Sequence, residues 1–406
     1  MDWRRKLSEG RAALGIVHGS RAFGGPVQLS LGLSNRCNLR CAHCYYYSPH
    51  ADRPNMSQVR RAQHHGEPLP DPESIRSFQR MDADAERVRA AVREAARMGT
   101  RRFLFTGNGE PLMHPDAVEL MALGKGAGSF CALNTNGHLL DRDVCDALVA
   151  MGFDELRVNA LAGTRRTYGQ THSGVAEAGF DRLKDNLLYL AGLKKGAGTR
   201  RPRVALVQVV IGANHDGLLD FARFAAEVGA EEVQYRPFFD TGDPRLSRLT
   251  PTEQQADHVR ASLPEAKTYL DSRGIAENTR YFAWVFGRQL DTTVLYQAIP
   301  CYYGWLMSRL DVDGNVYFCC RCYDPLGNVE DRSFREIWLG EGYRRARARA
   351  VTVHRRGSPV EGCDCYSCVH HTANFRAYRA LHPIRGREAR LERLVCARPG
   401  QRHGAA

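Results

Sequence analysis

Three cysteines near the amino terminus have the spacing of metal ligands. Cys37, Cys41 and Cys44 lie in the segment LSNRCNLRCAHCYYY, with three and then two residues between them. A structural zinc or a closed iron–sulfur cluster takes four protein ligands, whereas a cluster held by three thiolates leaves one iron open to a small molecule. The spacing therefore predicts a metal centre that performs chemistry. A zinc site completed by His43 or by a distant residue is the alternative.

A second group of cysteines lies near the carboxyl terminus. It comprises seven of the 13 cysteines: Cys301, Cys319, Cys320, Cys322, Cys363, Cys365 and Cys368. The amino-terminal sequence MDWRRKLSEGRAALG lacks the apolar region of a signal peptide, so we expect a cytoplasmic protein. Because the cytosol keeps thiols reduced, metal ligation is a better explanation for this group than disulfide bonds.

The composition indicates a globular protein with a large core. Of 406 residues, 43% are hydrophobic and 25% are charged, and no run of about 18 apolar residues is present. The net charge is +12, and arginine is densest at Arg344, Arg345, Arg347, Arg349, Arg355 and Arg356. No aromatic residues interleave with these arginines, so we interpret them as a solvated helix face rather than a nucleic-acid surface. We expect no membrane partner.

Apolar segments alternate with amphipathic ones from residue 26 onward, which indicates a parallel α/β sheet. The strand candidates begin at Val27, Arg102, Phe130, Glu155, Val204 and Glu232, and helix patterns lie between them. Six strand-then-helix units predict an open sheet or a partial (β/α)6 TIM-like barrel. Ligands of such sheets bind at the carboxyl ends of the strands.

Four strand-end loops are therefore expected to meet at one site. The cysteine loop follows the first strand, and the others begin with TGNGEPLMHP at Thr106, NTNG at Asn134 and NALAG at Asn159. Glycines in such loops let the backbone approach a ligand closely, and Glu110 could receive an ammonium group.

These loops together resemble the radical S-adenosylmethionine superfamily. The cysteine spacing with an aromatic side chain at His43 is similar to its signature, and Gly107, Gly109, Glu110 and Pro111 resemble its glycine-glycine-glutamate-proline motif, although Asn108 separates the glycines. The resemblance implies that Glu110 receives the methionine amino group. It also implies that Asn136 lies at the third strand end and that Asn159 meets the ribose.

The resemblance implies a 4Fe-4S cluster ligated by Cys37, Cys41 and Cys44, whose open iron is chelated by S-adenosylmethionine. Reductive cleavage of this cofactor gives a 5'-deoxyadenosyl radical, which abstracts a hydrogen atom from the substrate. The electron comes from an external donor such as flavodoxin or ferredoxin. A non-enzymatic alternative is an iron–sulfur scaffold or a regulator, which would not need the matching loops.

The carboxyl-terminal cysteines lie in a pattern of hairpin, helix and returning cysteine pair. The hairpin RLDVDGNVYFCC turns at Asp313 and Gly314, and a helix is predicted from Ser333. The pattern resembles the SPASM and twitch auxiliary-cluster domains of the same superfamily. The resemblance implies one auxiliary 4Fe-4S cluster, held by Cys301, Cys319, Cys365 and Cys368. Three further cysteines keep alternatives open, namely Cys320, Cys322 and Cys363. They could replace one of these ligands or hold a second cluster, and a zinc ribbon is also compatible with the paired cysteines.

An auxiliary cluster would accept the electron of a substrate radical, which favours oxidation of a small molecule such as a sugar or an aminocyclitol. The alternative is thioether or carbon–carbon crosslinking, or epimerisation, of a ribosomally made peptide. Enzymes of that kind often carry an amino-terminal leader-binding domain of about 80 residues. Only some 25 residues precede the first strand here, and this weakens the alternative.

We predict five segments along the chain. They are an amino-terminal extension (1–25), the barrel (26–240), a helical linker (241–300), the auxiliary-cluster domain (301–370) and a basic tail (371–406). Within the barrel, the polar insertion from Ala51 to Arg80 is either a lid over the substrate or a disordered loop.

Overall fold

The computed structural model describes residues 3–50, 57–175, 178–238, 244–286, 293–356, 360, 362–363, 365, 368 and 370–382. The start of the predicted insertion, residues 51–56, lies outside the described residues. So does most of the predicted basic tail, residues 383–406.

The six predicted strands are present and lie side by side in one open, mostly parallel sheet. The strands are β1 (Gln28–Gly32), β2 (Arg40–Cys41), β3 (Arg102–Thr106), β4 (Phe130–Thr135), β5 (Glu155–Asn159), β6 (His172–Ser173), β7 (Arg203–Val210), β8 (Glu232–Pro237), β9 (Ala276–Glu277), β10 (Met307–Leu310), β11 (Asn315–Tyr317) and β12 (Gly327–Asn328). Their order in the sheet is β12-β11-β10-β1-β3-β4-β5-β7-β8-β9, while β2 pairs with β6. The partial-barrel prediction is confirmed.

Helices cover the outer face of this sheet and connect the strands. They are α1 (Trp3–His18), α2 (Ser57–His65), α3 (Pro72–Gln79), α4 (Ala85–Arg97), α5 (Ala117–Gly126), α6 (Arg142–Ala150), α7 (Arg165–Thr171), α8 (Ala178–Gly196), α9 (Leu218–Glu227), α10 (Pro244–Ser247), α11 (Glu253–Ser272), α12 (Thr279–Val285), α13 (Thr293–Ala298), α14 (Tyr303–Leu306), α15 (Phe334–Leu339), α16 (Glu341–Val351), α17 (Val353–Arg356) and α18 (His371–Leu381). Asp84 and Asp141 cap α4 and α6, because each side chain accepts a hydrogen bond from a first-turn N–H group.

Strands β5 and β8 alternate between a buried face and a more accessible face. On β5, Leu156 and Val158 are fully buried in the main core, whereas Glu155, Arg157 and Asn159 are partly accessible. Successive side chains of a strand point to opposite faces, so the apolar residues of β5 meet the helices and its polar residues face the inside of the barrel. The part of the barrel interior lined by β5 is therefore polar.

The carboxyl-terminal hairpin continues the barrel sheet, which the sequence did not predict. Strand β10 pairs in parallel with β1, with Gln28 opposite Met307 and Ser30 opposite Arg309. Strand β11 then returns antiparallel, after a turn in which Gly314 has a φ of 77°. A positive φ of this size favours glycine, which confirms the predicted turn. The second cysteine group is thus attached directly beside the first strand.

The single helix predicted from Ser333 is wrong, because the structure has two helices that meet at Gly340. This glycine has an extended backbone, with ψ at 174°, and it both ends α15 and precedes α16. An added Cβ would lie 2.6 Å from the carbonyl oxygen of Glu336. A glycine therefore fits this sharp change of direction better than any other residue.

The interpretation of the arginine run as a solvated face is wrong for Arg347. The other five arginines of the run are exposed, but Arg347 is fully buried. Its Nε and Nη2 donate hydrogen bonds of 2.8 and 3.0 Å to the carbonyls of Gly304 and Trp338, and its guanidinium lies 4.2 Å from the centre of the Trp338 ring. The sequence alone does not show which arginine of an arginine-rich helix points into the core and which ones face solvent.

Replacement of Arg347 by methionine should lower the free energy of unfolding by about 2–4 kcal/mol, because two buried carbonyls lose their donors. The exposed Arg345 on the same helix provides the control, and Arg345→Met should stay within about 0.5 kcal/mol of the wild type. Denaturant unfolding of the intact protein measures both values. Equal effects of the two substitutions would show that the buried contacts of Arg347 do not stabilise the fold.

Helix α2 of the predicted insertion packs against the carboxyl-terminal domain. Arg60 donates a 3.1 Å hydrogen bond to the carbonyl of Arg321, and the His65 side chain lies 2.9 Å from the carboxylate of Asp324. The Ser57 hydroxyl accepts a 3.4 Å hydrogen bond from Tyr317. The described part of the insertion therefore contains two helices, and α2 contacts the domain carrying the second cysteine group.

Candidate active site

The three cysteines of the amino-terminal loop lie close to one another above β1. Cys41 is in β2, opposite His172 of β6, and the Cys44 amide donates a 3.1 Å hydrogen bond to the carbonyl of Cys41. Burial raises the pKa of all three thiols, to about 12 for Cys37, and the negative charges of Cys44 and Glu110 add to the effect at Cys37 and Cys41. Thiols in these surroundings fit a metal centre, because bound iron would stabilise the deprotonated form.

Close backbone packing explains the glycines of the second loop. The Gly109 and Glu110 amides donate hydrogen bonds of 3.2 and 2.8 Å to the carbonyls of Ser34 and Arg36, which lead into the cysteine loop. A Cβ on Gly107 would lie 2.5 Å from the Ser34 oxygen, and one on Gly109 would clash with the backbone of Arg36. The two loops are therefore in direct backbone contact, which requires both glycines.

Glu110 is a buried carboxylate held at a fixed position. Its Oε1 accepts a 2.8 Å hydrogen bond from the Thr135 hydroxyl, and its Oε2 accepts one of 2.7 Å from the Asn136 amide. Burial nevertheless raises its pKa to about 7, because loss of solvation outweighs the hydrogen bonds that favour the charged form. The Asn136 side chain donates a 2.8 Å hydrogen bond to Asn38, which lies inside the cysteine loop. This arrangement fits a buried carboxylate that binds a positively charged group of a ligand.

His43 and Asn159 lie where the sequence placed them, at the carboxyl ends of the strands. Burial lowers the pKa of His43 to about 4, so the ring is neutral at physiological pH. Its Nδ1 is buried and has no hydrogen-bond partner among the described residues. Asn159 is the last residue of β5 and is partly accessible. An unsatisfied ring nitrogen beside three cysteines fits contact with a ligand.

Asn108, which separates the two glycines, has a partner that the sequence analysis missed. Its Oδ1 accepts a 3.0 Å hydrogen bond from Arg309 of β10, and Arg309 also forms a buried ion pair with Asp311. A second guanidinium nitrogen of Arg309 lies 3.5 Å from the carbonyl of Cys320. One side chain therefore links the loop of Glu110 to the second cysteine group. No local sequence signal indicates a contact across about 200 residues.

Three thiols of the second group converge within the carboxyl-terminal domain. The sulfurs of Cys319, Cys322 and Cys363 all lie within 4.8 Å of one another, and Cys319 and Cys322 are 3.6 Å apart. The structure joins Cys322 and Cys363 as a disulfide, contrary to the expectation that this chain forms none. Such a convergence of soft sulfur donors also fits a metal site. Cys322 and Cys363 are outside the ligand set that the sequence favoured.

The remaining predicted ligands lie in the same region. Cys301 and Cys319 each interact electrostatically with both Cys365 and Cys368, and the Tyr296 hydroxyl is 3.1 Å from the sulfur of Cys368. The four predicted ligands are therefore neighbours, and their role as one ligand set stays a prediction.

Cys320 has a different environment from the other thiols. Burial favours its neutral form, but His370, whose Nε2 is 2.9 Å from the sulfur, lowers the Cys320 pKa to about 6. The Cys320 thiol is therefore the one in this region that most readily forms a thiolate among the described residues. No local pattern in the sequence pairs Cys320 with a histidine 50 residues away.

Removal of the Glu110 charge should weaken binding of S-adenosylmethionine about 10- to 100-fold, because a buried charge-assisted hydrogen bond contributes roughly 1.5–3 kcal/mol. Glu110→Gln keeps the shape: its amide oxygen can accept from the Asn136 amide, while its NH2 group can donate to the Thr135 hydroxyl. Equilibrium binding to the anaerobically reconstituted protein measures the change. Glu119→Gln on the surface of α5 is the matched control. Unchanged affinity in Glu110→Gln would contradict the assignment.

Two protein families match this chain. The Radical SAM superfamily matches residues 31–225, and the SPASM iron-sulfur cluster-binding domain matches residues 301–369. These ranges contain every cysteine of the two groups described above.

Two curated relatives align with most of the chain. The "Probable GTP 3',8-cyclase" of Pyrococcus horikoshii is 25% identical and covers 76% of this chain and 88% of its own length. The "PqqA peptide cyclase" of Xanthomonas campestris is 24% identical, and the alignment covers 84% of this chain and 82% of the relative.

Solved structures share the fold. SuiB of Streptococcus suis bound to S-adenosylmethionine has a TM-score of 0.56 and 14% identity, covering 83% of this chain and 70% of SuiB. The structure of anSMEcpe with bound AdoMet has a TM-score of 0.53 and 15% identity, covering 90% of this chain and 98% of that chain.

Proposed function

The chain belongs to the radical SAM superfamily and carries a carboxyl-terminal SPASM iron–sulfur domain, and from this we propose that it modifies a ribosomally made peptide. The observation that carries the proposal is the cysteine-rich domain built onto the same sheet as the S-adenosylmethionine site. The name of the Xanthomonas relative, a peptide cyclase that aligns with 84% of this chain, supports it. SuiB, which shares the fold, has been solved with its precursor peptide SuiA.

The residues of this chain fit the cofactors of the superfamily. When bound, the three-cysteine cluster and S-adenosylmethionine supply a radical that removes a hydrogen atom from an unactivated C–H bond. Glu110 would receive the amino group of the cofactor, with Thr135 and Asn136 fixing its two oxygens. His43 and Asn159 would contact the adenosyl part. SPASM cysteines would hold one or two auxiliary clusters.

Oxidation of a small molecule, which the sequence analysis ranked first, is the second candidate. A small-molecule substrate is supported by the relative named as a probable GTP 3',8-cyclase, since GTP is a nucleotide. In crosslinking and in oxidation the auxiliary cluster would accept an electron, whereas epimerisation leaves the oxidation state of the substrate unchanged. Flavodoxin or ferredoxin would supply the electron that cleaves the cofactor. No helix in the described part of the chain is long and apolar enough to span a membrane, and we propose the cytoplasm as its location.

A library of ribosomally translated peptides, incubated anaerobically with the reconstituted enzyme, S-adenosylmethionine and dithionite, tests the proposal. Mass spectrometry should find peptides that lose two hydrogen atoms after crosslinking, or that gain deuterium from D2O after epimerisation. Cys41→Ala should give neither product. A parallel incubation with sugars, aminocyclitols and nucleotides distinguishes the second candidate. Conversion of these molecules, with no peptide changed, would contradict peptide modification.

A further inference from the structure

Three polar residues of β8 face the inside of the barrel. Val233 and Tyr235 of this strand are buried, and the Tyr235 ring lies 5.8 Å from that of Phe282 in α12. The alternation of a strand therefore turns Glu232, Gln234 and Arg236 to the opposite face. Arg236 is near the carboxyl end of β8, the edge of the sheet at which the cysteine loop and Glu110 also lie.

The register places Arg236 on the same wall as Asn159. Asn159 of β5 is opposite Val207 of β7, and Val207 is opposite Gln234 of β8. Arg236 follows two residues later, opposite Val209, and so it lies one step further toward the mouth of the barrel. Along the strand direction, Arg236 therefore lies close to the height of the predicted cofactor site.

Arg236 differs from the other arginines of the barrel wall in its partners. Arg157 hydrogen bonds to Glu155 at 2.5 Å, and Arg203 forms a 2.9 Å ion pair with Glu232. In contrast, Arg236 donates a 2.7 Å hydrogen bond to the neutral Gln234. Among the described residues no carboxylate lies within ion-pair distance of it. Glu232 and Glu155 attract its charge from beyond that distance, so its guanidinium has no carboxylate in direct contact among these residues.

Arg236 also combines solvent access with close protein surroundings. Its side chain is exposed to solvent, yet burial among protein atoms lowers its pKa to about 10, with the nearby positive charge of Arg157 contributing. Arg236 can therefore be reached by solvent while protein atoms surround its guanidinium, which fits a position on the inner wall near the end of β8.

We propose that Arg236 binds a carboxylate of the substrate at the mouth of the barrel, and that the substrate peptide presents it as an aspartate or glutamate side chain. This inference rests on the proposed function. A guanidinium matches a carboxylate with two parallel N–H donors, which fixes orientation as well as position. The acidic side chain would thereby hold a neighbouring C–H bond in front of the cofactor.

The carboxylate of S-adenosylmethionine is a poor match for this position. It is attached to the same carbon as the amino group, which Glu110 would receive beside β3 and β4. Strand β8 is four strands from β3 in the sheet order, about 19 Å along the curved sheet at ~4.8 Å per strand, and the straight line across the barrel is shorter. Because Glu110 would hold the amino group on the other side of the sheet, we assign Arg236 to a substrate group, and the labelling arm with S-adenosylmethionine alone tests the cofactor.

Protection from phenylglyoxal, which labels accessible arginines, tests the proposal on the reconstituted enzyme with S-adenosylmethionine. Peptide mapping should show labelled Arg236, with at least about fivefold less label when glutarate is added and no change with the uncharged glutaramide. Glutarate affinity should fall about tenfold or more in Arg236→Gln. The exposed Arg223 on α9 is the control, and Arg223→Gln should leave glutarate binding unchanged.

Three results would overturn the carboxylate site: no label on Arg236 in the folded enzyme, equal label with and without glutarate, or protection by S-adenosylmethionine alone. Short peptides with a central glutamate, compared with their glutamine counterparts, test the peptide source. If the glutamate peptides protect Arg236 and the glutamine peptides do not, both the carboxylate site and the peptide substrate are supported. Protection by glutarate but by no glutamate peptide keeps the carboxylate site and counts against a peptide substrate, so the two failures are distinguishable.

Discussion

Replacement of Cys41 by alanine should abolish all cleavage of S-adenosylmethionine, because two thiolates cannot hold the cluster that the superfamily uses. The auxiliary iron should remain, since Cys301 and Cys319 lie in a separate domain. Electron paramagnetic resonance and iron analysis of the anaerobically reconstituted protein measure the cluster, and chromatography of 5'-deoxyadenosine measures the cleavage.

Cys145→Ala is the matched control for this variant. Cys145 is fully buried in α6, and its thiol lies 3.4 Å from the carbonyl of Leu140. It belongs to the main hydrophobic core and is not one of the three cysteines of the amino-terminal loop, so cleavage should be unchanged. Retained cleavage in Cys41→Ala would contradict the assignment of the amino-terminal loop.

Replacement of Cys365 and Cys368 together should remove an auxiliary cluster, with a loss of about four iron atoms per chain. Formation of modified product should stop, because the substrate radical would have no internal electron acceptor. Slow cleavage of S-adenosylmethionine without substrate should continue, since the Cys37 loop is intact. The double variant therefore separates radical generation from product formation.

Cys131→Ala is the control for the double variant, because Cys131 is a buried thiol of β4 in the main core. Iron content and spectra of the double variant equal to those of the wild type would show that these two cysteines are not ligands. Cys322 and Cys363, which lie together with Cys319, would then be the ligands to replace next.

The barrel could be predicted from the sequence because each strand and helix carries its own periodicity. The Arg102 and Glu155 strands begin at the predicted residues, and each predicted helix lies between the correct strands. The loop motifs could also be read from short segments, since Gly107, Gly109 and Glu110 lie within four consecutive residues. Their close contact with the Ser34 to Arg36 backbone follows from the parallel pairing of β1 and β3.

The contacts between distant segments could not be predicted. Pairing of β10 with β1 and the hydrogen bond from Arg309 to Asn108 join residues about 200 or more positions apart, and neither leaves a pattern in either segment. The same holds for burial of Arg347, which depends on Trp338 and Gly304 surrounding it. The thiols of Cys322 and Cys363 also meet only in the folded domain.

Arg309 connects the two halves of the proposed machinery. It holds Asn108 in the loop of Glu110, pairs with Asp311 and reaches the Cys320 carbonyl. The departure from the glycine-glycine-glutamate-proline motif at Asn108 thus has a structural explanation, because the asparagine supplies the acceptor for Arg309. The cofactor loop and the SPASM domain are in this way held in one arrangement.

Formation of 5'-deoxyadenosine tests the central claim most directly. The wild-type protein, reconstituted anaerobically with iron and sulfide and given dithionite and S-adenosylmethionine, should produce 5'-deoxyadenosine and methionine even without substrate. Glu110→Gln should slow this at limiting cofactor, and Cys41→Ala should stop it. A wild-type protein that holds the cluster of Cys37, Cys41 and Cys44 but forms no 5'-deoxyadenosine would contradict the account.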